Sequence, residues 1–283
     1  MAAASTLSHR EMGLLQALRH LGGSGRSAEL ATMLDVSEET VRRTIKALAT
    51  AGALERVHGG AYLVGAGNDA SGPSFFRRMG ENPQEKKRIA EAVLPRITDG
   101  MTVFLDVGST TSFVAEALRR RHNLTVVTNS IGVAQLLSNH NGNRLHLLGG
   151  EMRGDDRGTF GPVSEQQAAR FAFDVAILSA DELSAKHGLL FHNASEAELA
   201  SVVAAAAEKI FVVTTASKFS ETAPHCGPAP QLLHGLVSER EPGKKLARAL
   251  QGWGVTFELA LATEQSPTKA PGHAAGEASG GKP

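Results

Sequence analysis

A run of glycine and hydroxyl residues stands between an apolar run and a helical pattern in the stretch MTVFLDVGSTTSFVAEAL. Backbone amides at the start of a helix carry partial positive charge, and neighbouring hydroxyl groups add further donors. Gly108, Ser109, Thr110 and Thr111 are therefore candidates for binding an anion such as a phosphate group. The spacing excludes a nucleotide P-loop, which requires GxxxxGK followed by Ser or Thr.

A second polar junction follows the next apolar run, in LTVVTNSIGVAQLL, and places Thr128, Asn129 and Ser130 between a strand pattern and a helix pattern. Ligands of open parallel sheets bind outside the carboxyl ends of the strands, so we expect both junctions to line one crevice. The alternative is that Asn129 and Ser130 only cap a helix. A third junction, LLGGEMRGDDRGTFGP, contains Arg153 and Arg157, for which ligand contact and solvation are equally consistent.

A different kind of surface is predicted near the N terminus, in VSEETVRRTIKALATAGALERVHGGAYL at residues 36–63. At about 100° per residue, a helix over this stretch has an apolar face opposite a basic face. The basic face consists of Arg42, Arg43 and Lys46, and Thr40 lies one turn before Arg43 and Thr44. DNA phosphates and base edges are ligands for such residues, and arginine pairs with guanine through two hydrogen bonds. A solvated charged helix is the alternative.

The elements around this basic helix follow the plan of a winged helix. Ser8 opens a helical pattern over 8–21, a second short helix follows, and Ser37 is placed to cap the third. The turn between the second and third helices is only about four residues, as a helix-turn-helix requires. Two short strands follow around His58, Gly59 and Gly60. Because glycine lets a backbone approach closely, these three residues are candidate contacts to the DNA backbone.

Beyond residue 84, helical patterns alternate with short apolar runs rich in Val, Ile and Leu, which is typical of a largely parallel sheet covered on both faces. The runs are residues 101–106, 124–128, 144–148, 173–180, 209–215, 234–238 and 255–259. The sequence thus predicts a winged helix over 1–64, a linker over 65–84, an α/β open-sheet domain over 85–262 and a disordered tail over 263–283.

Composition restricts the remaining classes of function. The chain has 283 residues and a formal net charge of zero, so DNA binding must depend on a local surface. No apolar stretch of about 18 residues and no secretory signal is present, which predicts a cytoplasmic protein that does not enter a membrane. The single cysteine, Cys226, agrees with a reducing compartment. His187 and His192 are five residues apart and CxxC and HExxH motifs are missing, so we expect no metal site and no cofactor.

The motifs together resemble the DeoR family of bacterial transcriptional regulators. VSEETVRR and AGALERVHGGAYL are similar to its N-terminal signature, and EKKRIAEAV, LDVGSTT, VVTNS, LLGG, DVAILSADE, NASEAE and ASKF occur in the order found along its sensor domain. The resemblance covers roughly residues 8–220. It implies a winged helix joined to a sugar-phosphate-sensing domain that is similar to the ribose-5-phosphate isomerase and CoA-transferase folds.

By this resemblance the hydroxyl loop at 108–111 holds the phosphate of a phosphorylated sugar. Lys218 matches the family lysine and is expected to be a cation near the ligand, whereas Asp106, Asp181 and Glu196 match polar positions that accept sugar hydroxyls. The chain departs from the family pattern at four places: Thr44 after the paired arginines, Thr215 before ASKF, Glu182 after Asp181, and Leu189-Leu190-Phe191 after Gly188.

The predicted function is a DNA-binding transcriptional regulator, by family analogy a repressor, whose operator affinity is controlled by a phosphorylated sugar or a related metabolite. The expected partners are double-stranded operator DNA, the phosphorylated sugar effector and further copies of the chain in a homo-oligomer. Two alternatives stay open. One is a sugar-phosphate isomerase that uses Asp181, Glu182 or Glu196 as a base, and the other is a DNA-binding protein with a degenerate sensor.

Overall fold

The computed structural model describes residues 8–21, 24–57, 59–63, 75–153 and 156–261. Its N-terminal part consists of three helices and a three-stranded antiparallel sheet of order β1-β3-β2. In chain order the elements are α1 His9–His20, β1 Ser24–Arg26, α2 Ser27–Leu34, α3 Glu38–Thr50, β2 Leu54–Val57 and β3 Gly60–Leu63. The predicted winged helix is therefore confirmed, with β1 as an additional strand that is too short for a sequence pattern.

Capping residues fix where these helices begin. Ser8 and Glu11 form a capping box, in which the Glu11 amide donates to Ser8 Oγ at 3.3 Å and the Ser8 amide donates to Glu11 Oε2 at 2.7 Å. Ser37 Oγ accepts the Thr40 amide at 3.2 Å, as the sequence predicts. The turn between α2 and α3 is residues 35–37, and Asp35 adopts a positive φ of 51° there.

The second part contains a seven-stranded parallel sheet of order β15-β14-β12-β9-β4-β5-β6. After α4 Phe75–Gly80 and α5 Pro83–Val93, its strands are β4 Thr102–Leu105, β5 Thr125–Thr128, β6 Arg144–Leu147, β9 Phe173–Leu178, β12 Ala207–Val213, β14 Gly235–Ser238 and β15 Thr256–Leu259. Each of the seven predicted apolar runs contributes one strand, so the α/β prediction is confirmed.

Helices and shorter hairpins connect these strands. The helices are α6 Ser109–Leu118, α7 Ile131–Leu137, α8 Pro162–Ala168, α9 Ala194–Ala205 and α10 Lys244–Trp253. Strands β7 Glu151–Arg153 and β8 Gly158–Phe160 form an antiparallel pair. Strands β10 Glu182–Ser184, β11 Gly188–Phe191 and β13 His225–Cys226 form an antiparallel sheet in which β11 is central. No helix in the described part of the chain is long and apolar enough to span a membrane.

Two hydrophobic cores cover the two faces of the large sheet. Alternate residues of β4 pack into different cores. Val103 and Leu105 belong to the core that contains Ile89 of α5, whereas Phe104 belongs to the core that contains Phe173. Successive side chains of a strand point to opposite faces, so a strand covered by helices on both sides must be apolar throughout. This burial holds the carboxyl ends of the strands rigidly at one edge.

A short helix lies within the predicted linker. Residues Phe75–Gly80 form helix α4 inside the range 65–84 that the sequence assigns to a linker. This helix contacts β2 and β3 of the winged helix and also α6 of the second domain. Residues 65–74 and the predicted tail at 263–283 lie outside the described residues, so the boundaries of the domains stay a prediction.

Candidate functional site

The predicted phosphate loop lies at the carboxyl end of β4, next to the end of the neighbouring strand β9. Asp106 joins the two ends: its Oδ1 accepts the Val107 amide at 2.8 Å, and its Oδ2 accepts the Ser179 amide and hydroxyl, each at 3.3 Å. Burial raises the pKa of this carboxyl to about 7, although these hydrogen bonds oppose the shift. Asp106 therefore holds two strand ends together beside the start of α6.

Gly108 permits this close approach of the loop to β9. A Cβ atom at this position would lie 2.5 Å from Ser179 Oγ, so a larger residue does not fit. The Gly108 carbonyl accepts the hydroxyls of Thr111 and Ser112 at 2.9 and 2.8 Å. These two hydroxyls thus hold the first turn of α6, while Ser109 and Thr110 face the adjacent cavity.

The second junction supports the first loop from behind. Thr128 Oγ1 donates to the Leu105 carbonyl at 2.6 Å, and Asn129 Oδ1 accepts the Val107 amide at 3.0 Å. Ser130 Oγ accepts the Val133 amide at 3.3 Å and so caps α7. Thr128 and Asn129 are completely buried. Thr111, Thr128 and Asn129 do not line the cavity. They position the phosphate loop, whereas the sequence predicts that they contact the ligand.

A narrow cavity of about 50 Å³ opens beside the phosphate loop. Seven predicted ligand residues line it: Asp106, Gly108, Ser109, Thr110, Asp181, Glu196 and Lys218. Other polar residues that were not among the predicted ligands also line the cavity: Arg78, Glu81, Asn82, Lys86, Asp156, Ser179, Thr214, Thr215 and Ser217. Lys86 lies in the motif EKKRIAEAV, Asp156 lies in the third junction LLGGEMRGDDRGTFGP, and Thr215 is one of the departures from the family pattern. Arg78 lies in a stretch with no recognisable pattern.

Two lysines supply positive charge to this cavity, the buried Lys86 and the half-buried Lys218. Lys86 is 4 % exposed, and its Nζ donates to the carbonyl oxygen of Arg78. Burial lowers the pKa of Lys86 to about 8. Burial also lowers the pKa of Lys218, and among the described residues its Nζ forms no hydrogen bond or ion pair. A desolvated cation without a fixed partner is poised to accept an anionic ligand.

The acidic wall of the cavity is organised by Arg153. Its guanidinium pairs with Asp156 Oδ2 at 2.9 Å and with Glu196 Oε1 at 3.2 Å, and it lies over the ring of Phe160. Burial and the nearby carboxylate of Asp181 raise the pKa of Glu196, and Arg153 opposes this shift. Arg153 is therefore neither a solvated residue nor a lining residue, but one that orients two carboxylates.

Two departures from the family pattern have structural explanations. Burial of Glu182 disfavours its charge, but hydrogen bonds from Thr222 and from the Ala223 amide outweigh burial and lower the pKa to about 2. Glu182 therefore anchors the chain segment after Lys218. Thr215 lines the cavity, and its hydroxyl lies 2.8 Å from Ser217 Oγ.

The candidate DNA surface is the outer face of α3. Arg42, Arg43 and Lys46 are exposed there, and Arg42 pairs with Glu38 at 2.6 Å. In the described part of the chain, Arg43 and Lys46 form no ion pair. The Thr40 hydroxyl oxygen Oγ1 lies 2.9 Å from Ser37 Oγ. Thr40 also lines a groove between α3 and α1, so it lies beside the basic face and not on it.

The predicted DNA contacts in the wing, the hairpin of β2 and β3, differ in their surroundings. Gly59 is exposed and has a φ of 82°, which favours glycine. Gly60 is buried, and a Cβ atom there would lie 2.2 Å from the carbonyl oxygen of Gly25 in β1. This glycine is thus required by the pairing of β3 with β1 rather than by an approach to DNA. His58 lies outside the described residues.

The chain joins a winged helix that has an exposed basic face to an α/β domain that has a charged cavity at its strand ends. This combination is typical of a DNA-binding regulator with its own sensor domain. Comparison with known families specifies the class further. Residues 10–65 match the DeoR-like helix-turn-helix domain, and residues 81–239 match the DeoR C terminal sensor domain. The chain belongs to the DeoR family and is a DNA-binding transcriptional regulator.

Named relatives agree with this family. The HTH-type transcriptional repressor CsqR of Escherichia coli is 34% identical over 195 residues, which cover 69% of this chain and 74% of CsqR. The glycerol-3-phosphate regulon repressor of Escherichia coli is 27% identical over 252 residues, 89% of this chain and 98% of the repressor. Ribose 5-phosphate isomerase A of Methanocaldococcus jannaschii is similar in structure over 50% of this chain and 56% of the isomerase, at 18% identity and a TM-score of 0.37, too distant to bear on function.

Proposed function

We propose that this protein is a repressor whose affinity for operator DNA changes when a phosphorylated sugar or a related metabolite binds the cavity beside α6. The observation that carries this proposal is the combination of a helix N-terminus, two hydroxyls and two desolvated lysines around one cavity. Each of these groups favours an anion, and their presence around one cavity fits a phosphate group.

The phosphate is expected at the first turn of α6. This helix has 10 residues, and its free amides begin at Ser109, which lines the cavity with Thr110. Lys218 approaches from the turn after β12, so its cation complements the helix dipole. The carboxylates of Asp181 and Glu196 line the same cavity and are acceptors for sugar hydroxyls. A phosphate site beside acceptors for hydroxyls fits a phosphorylated sugar.

The charged side chains on the wall of this narrow cavity are expected to move when a ligand binds. Arg78 and Lys86 are the long cationic side chains on the wall that α4 and α5 contribute. A phosphate that pairs with them is expected to change their positions, so the ligand-free and ligand-bound forms should differ in the packing around these residues.

We also propose that the protein regulates without catalysing turnover of its ligand. The relatives compared above are named as repressors, and an isomerase has no need for a winged helix. One oxygen of each candidate carboxylate is held by the protein: Glu196 Oε1 accepts from Arg153 at 3.2 Å and from Asn193 Nδ2 at 3.2 Å, and Asp181 Oδ2 accepts the His192 amide at 2.9 Å. The other oxygen of each carboxylate is expected to accept a sugar hydroxyl.

On DNA, α3 is expected to enter the major groove with Arg43 and Lys46, and the exposed Gly59 to approach the backbone. Symmetric oligomers place two such helices on paired half-sites, so we propose a dimer or a higher oligomer on an inverted repeat. The known names of relatives make repression the expected direction of control.

Thermal unfolding with a panel of ligands tests the sensor part of this proposal. The panel contains glycerol 3-phosphate, suggested by the name of one relative, together with ribose 5-phosphate, fructose 6-phosphate, their unphosphorylated counterparts and inorganic phosphate. A ligand at 100 times its Kd stabilises the native state by about 2.7 kcal/mol. We expect one phosphosugar to raise the Tm while its unphosphorylated counterpart does not. Equal Tm values throughout, or steady isomerisation of ribose 5-phosphate, would contradict the proposal.

A further inference from the structure

Helix α4 lies between the winged helix and the cavity. It packs against β2 and β3 on one side and against α6 on the other. Phe75 at its start is buried, and the Phe75 ring lies 3.7 Å from the position of a Cβ atom on Gly132 of α7. A helix in this position transmits movement of the cavity wall to the winged helix, provided that ligand binding moves it.

Two contacts hold the end of α4 to the sensor domain. Arg78 Nη2 pairs with Asp156 Oδ1 at 3.0 Å, with both side chains largely buried. The buried Nζ of Lys86 donates to the Arg78 carbonyl, which belongs to the last turn of α4, where carbonyl groups lack partners within the helix. Arg78 and Lys86 both line the cavity. The groups that anchor α4 are thus the cations that an incoming anion meets.

Releasing Arg78 leaves no buried charge without a partner. Asp156 keeps its second contact, since Arg153 Nη2 pairs with Asp156 Oδ2 at 2.9 Å. A phosphate that takes over Arg78 therefore replaces one anionic partner by another.

On its other side, α4 is coupled to the wing hairpin. Tyr62 of β3 is 7 % exposed, and its hydroxyl donates to Glu55 of β2. Helix α4 contacts both strands that carry this pair, β2 and β3. A shift of α4 therefore changes the packing of the hairpin next to α3.

We propose that Arg78 and Lys86 are effector-binding cations that anchor α4 in the ligand-free protein, so that a phosphorylated ligand releases α4 and repositions the winged helix. This inference rests on the proposed function and specifies how the same cavity controls DNA binding. The effector and α4 compete for one pair of cations. By linkage, the factor by which the effector changes the affinity for DNA equals the factor by which DNA changes the affinity for the effector.

The test compares three full-length variants without any ligand. Arg78→Ala removes the anchor, and Asp156→Asn breaks the same ion pair while keeping the shape of the side chain. Arg120→Ala is the control, because Arg120 pairs with Glu91 at 2.6 Å on the sensor surface and does not line the cavity. Hydrogen exchange of residues 75–80 reports release of α4, and fluorescence anisotropy on operator DNA reports the winged helix.

We expect Arg78→Ala and Asp156→Asn to speed exchange in α4 at least tenfold and to change the Kd for operator DNA at least threefold, whereas Arg120→Ala behaves as the native protein. Unchanged exchange and Kd in both anchor variants would overturn the inference. Glycerol 3-phosphate and ribose 5-phosphate are then added to the native protein. If neither changes α4 exchange although the anchor variants do, the proposed effector class fails while the coupling through α4 holds.

Discussion

Replacing Lys218 by methionine separates a ligand-binding role from a structural one. Lys218 lies on the turn Ala216–Lys218, where its backbone amide donates to the Thr215 carbonyl at 3.0 Å. Lys218→Met keeps this backbone bond and most of the side-chain volume but removes the cation. Because the ammonium forms no hydrogen bond or ion pair with the described residues, its removal breaks no contact of the ligand-free fold.

The two expected effects have opposite signs. A charged hydrogen bond to phosphate contributes about 1.5–3 kcal/mol, so its loss should weaken effector binding about 10- to 150-fold. Stability should stay the same or rise. The pKa of Lys218 is lowered below its usual value of 10.5 by burial, so its charge opposes folding at neutral pH, and this penalty disappears as the pH rises towards 10.5. The advantage of the variant should therefore shrink at high pH.

Isothermal titration with the phosphosugar that stabilises the native protein measures the first effect, and urea unfolding between pH 7 and pH about 10 measures the second. Lys245→Met is the matched control, because Lys245 is exposed, pairs with Glu221 at 3.2 Å and does not line the cavity. A loss of effector affinity below about threefold would refute the assigned role. A parallel loss of stability and affinity would instead show a structural lysine.

Three further substitutions test other parts of the molecule. Gly60→Ala should destabilise the winged helix by about 1–3 kcal/mol in thermal unfolding, because the new Cβ atom would lie 2.2 Å from the Gly25 carbonyl oxygen; an unchanged Tm would contradict this packing. Arg43→Ala should weaken specific DNA binding by about 1–3 kcal/mol in anisotropy titrations, whereas Arg19→Ala on α1 should not; equal losses would indicate general electrostatics. Burial raises the pKa of Asp106 from 3.8 to about 7, so ionisation of this carboxyl opposes folding. The free energy of unfolding of the native protein should therefore fall as the pH rises from 3.8 to about 7. Asp106→Asn should flatten this fall in urea titrations, and the same slope in both proteins would argue against a buried carboxyl.

Patterns of local chemistry predict most of this fold. The seven strands of the large sheet are buried on both faces, so each is a short apolar run that stands out between helical patterns. Ser8 and Ser37 mark helix starts because a cap is made within four residues. Strand β1 escapes prediction because three residues are too few to show alternation, and its pairing with β3 depends on Gly60 being small.

The site is predictable only where its residues lie in motifs. Ser109 and Thr110 face the cavity, as a hydroxyl loop before a helix implies. Thr128 and Asn129 are also polar residues between a strand and a helix. Whether such side chains face a ligand or the neighbouring loop depends on the register of adjacent strands. Arg78 was unpredictable because its partner Asp156 is 78 residues away, and no local pattern records such a pairing.

The central claim is that one protein couples a phosphosugar site to DNA binding, and a single titration tests it most directly. Fluorescence anisotropy is measured on DNA from upstream of the gene for this chain, at fixed salt, with and without each phosphosugar of the panel. Salt must be constant because released counterions alone change the Kd. We expect specific binding whose Kd is changed by one phosphosugar at least fivefold, which corresponds to a coupling of about 1 kcal/mol or more. Specific binding with the same Kd in the presence of every phosphosugar would contradict the claim.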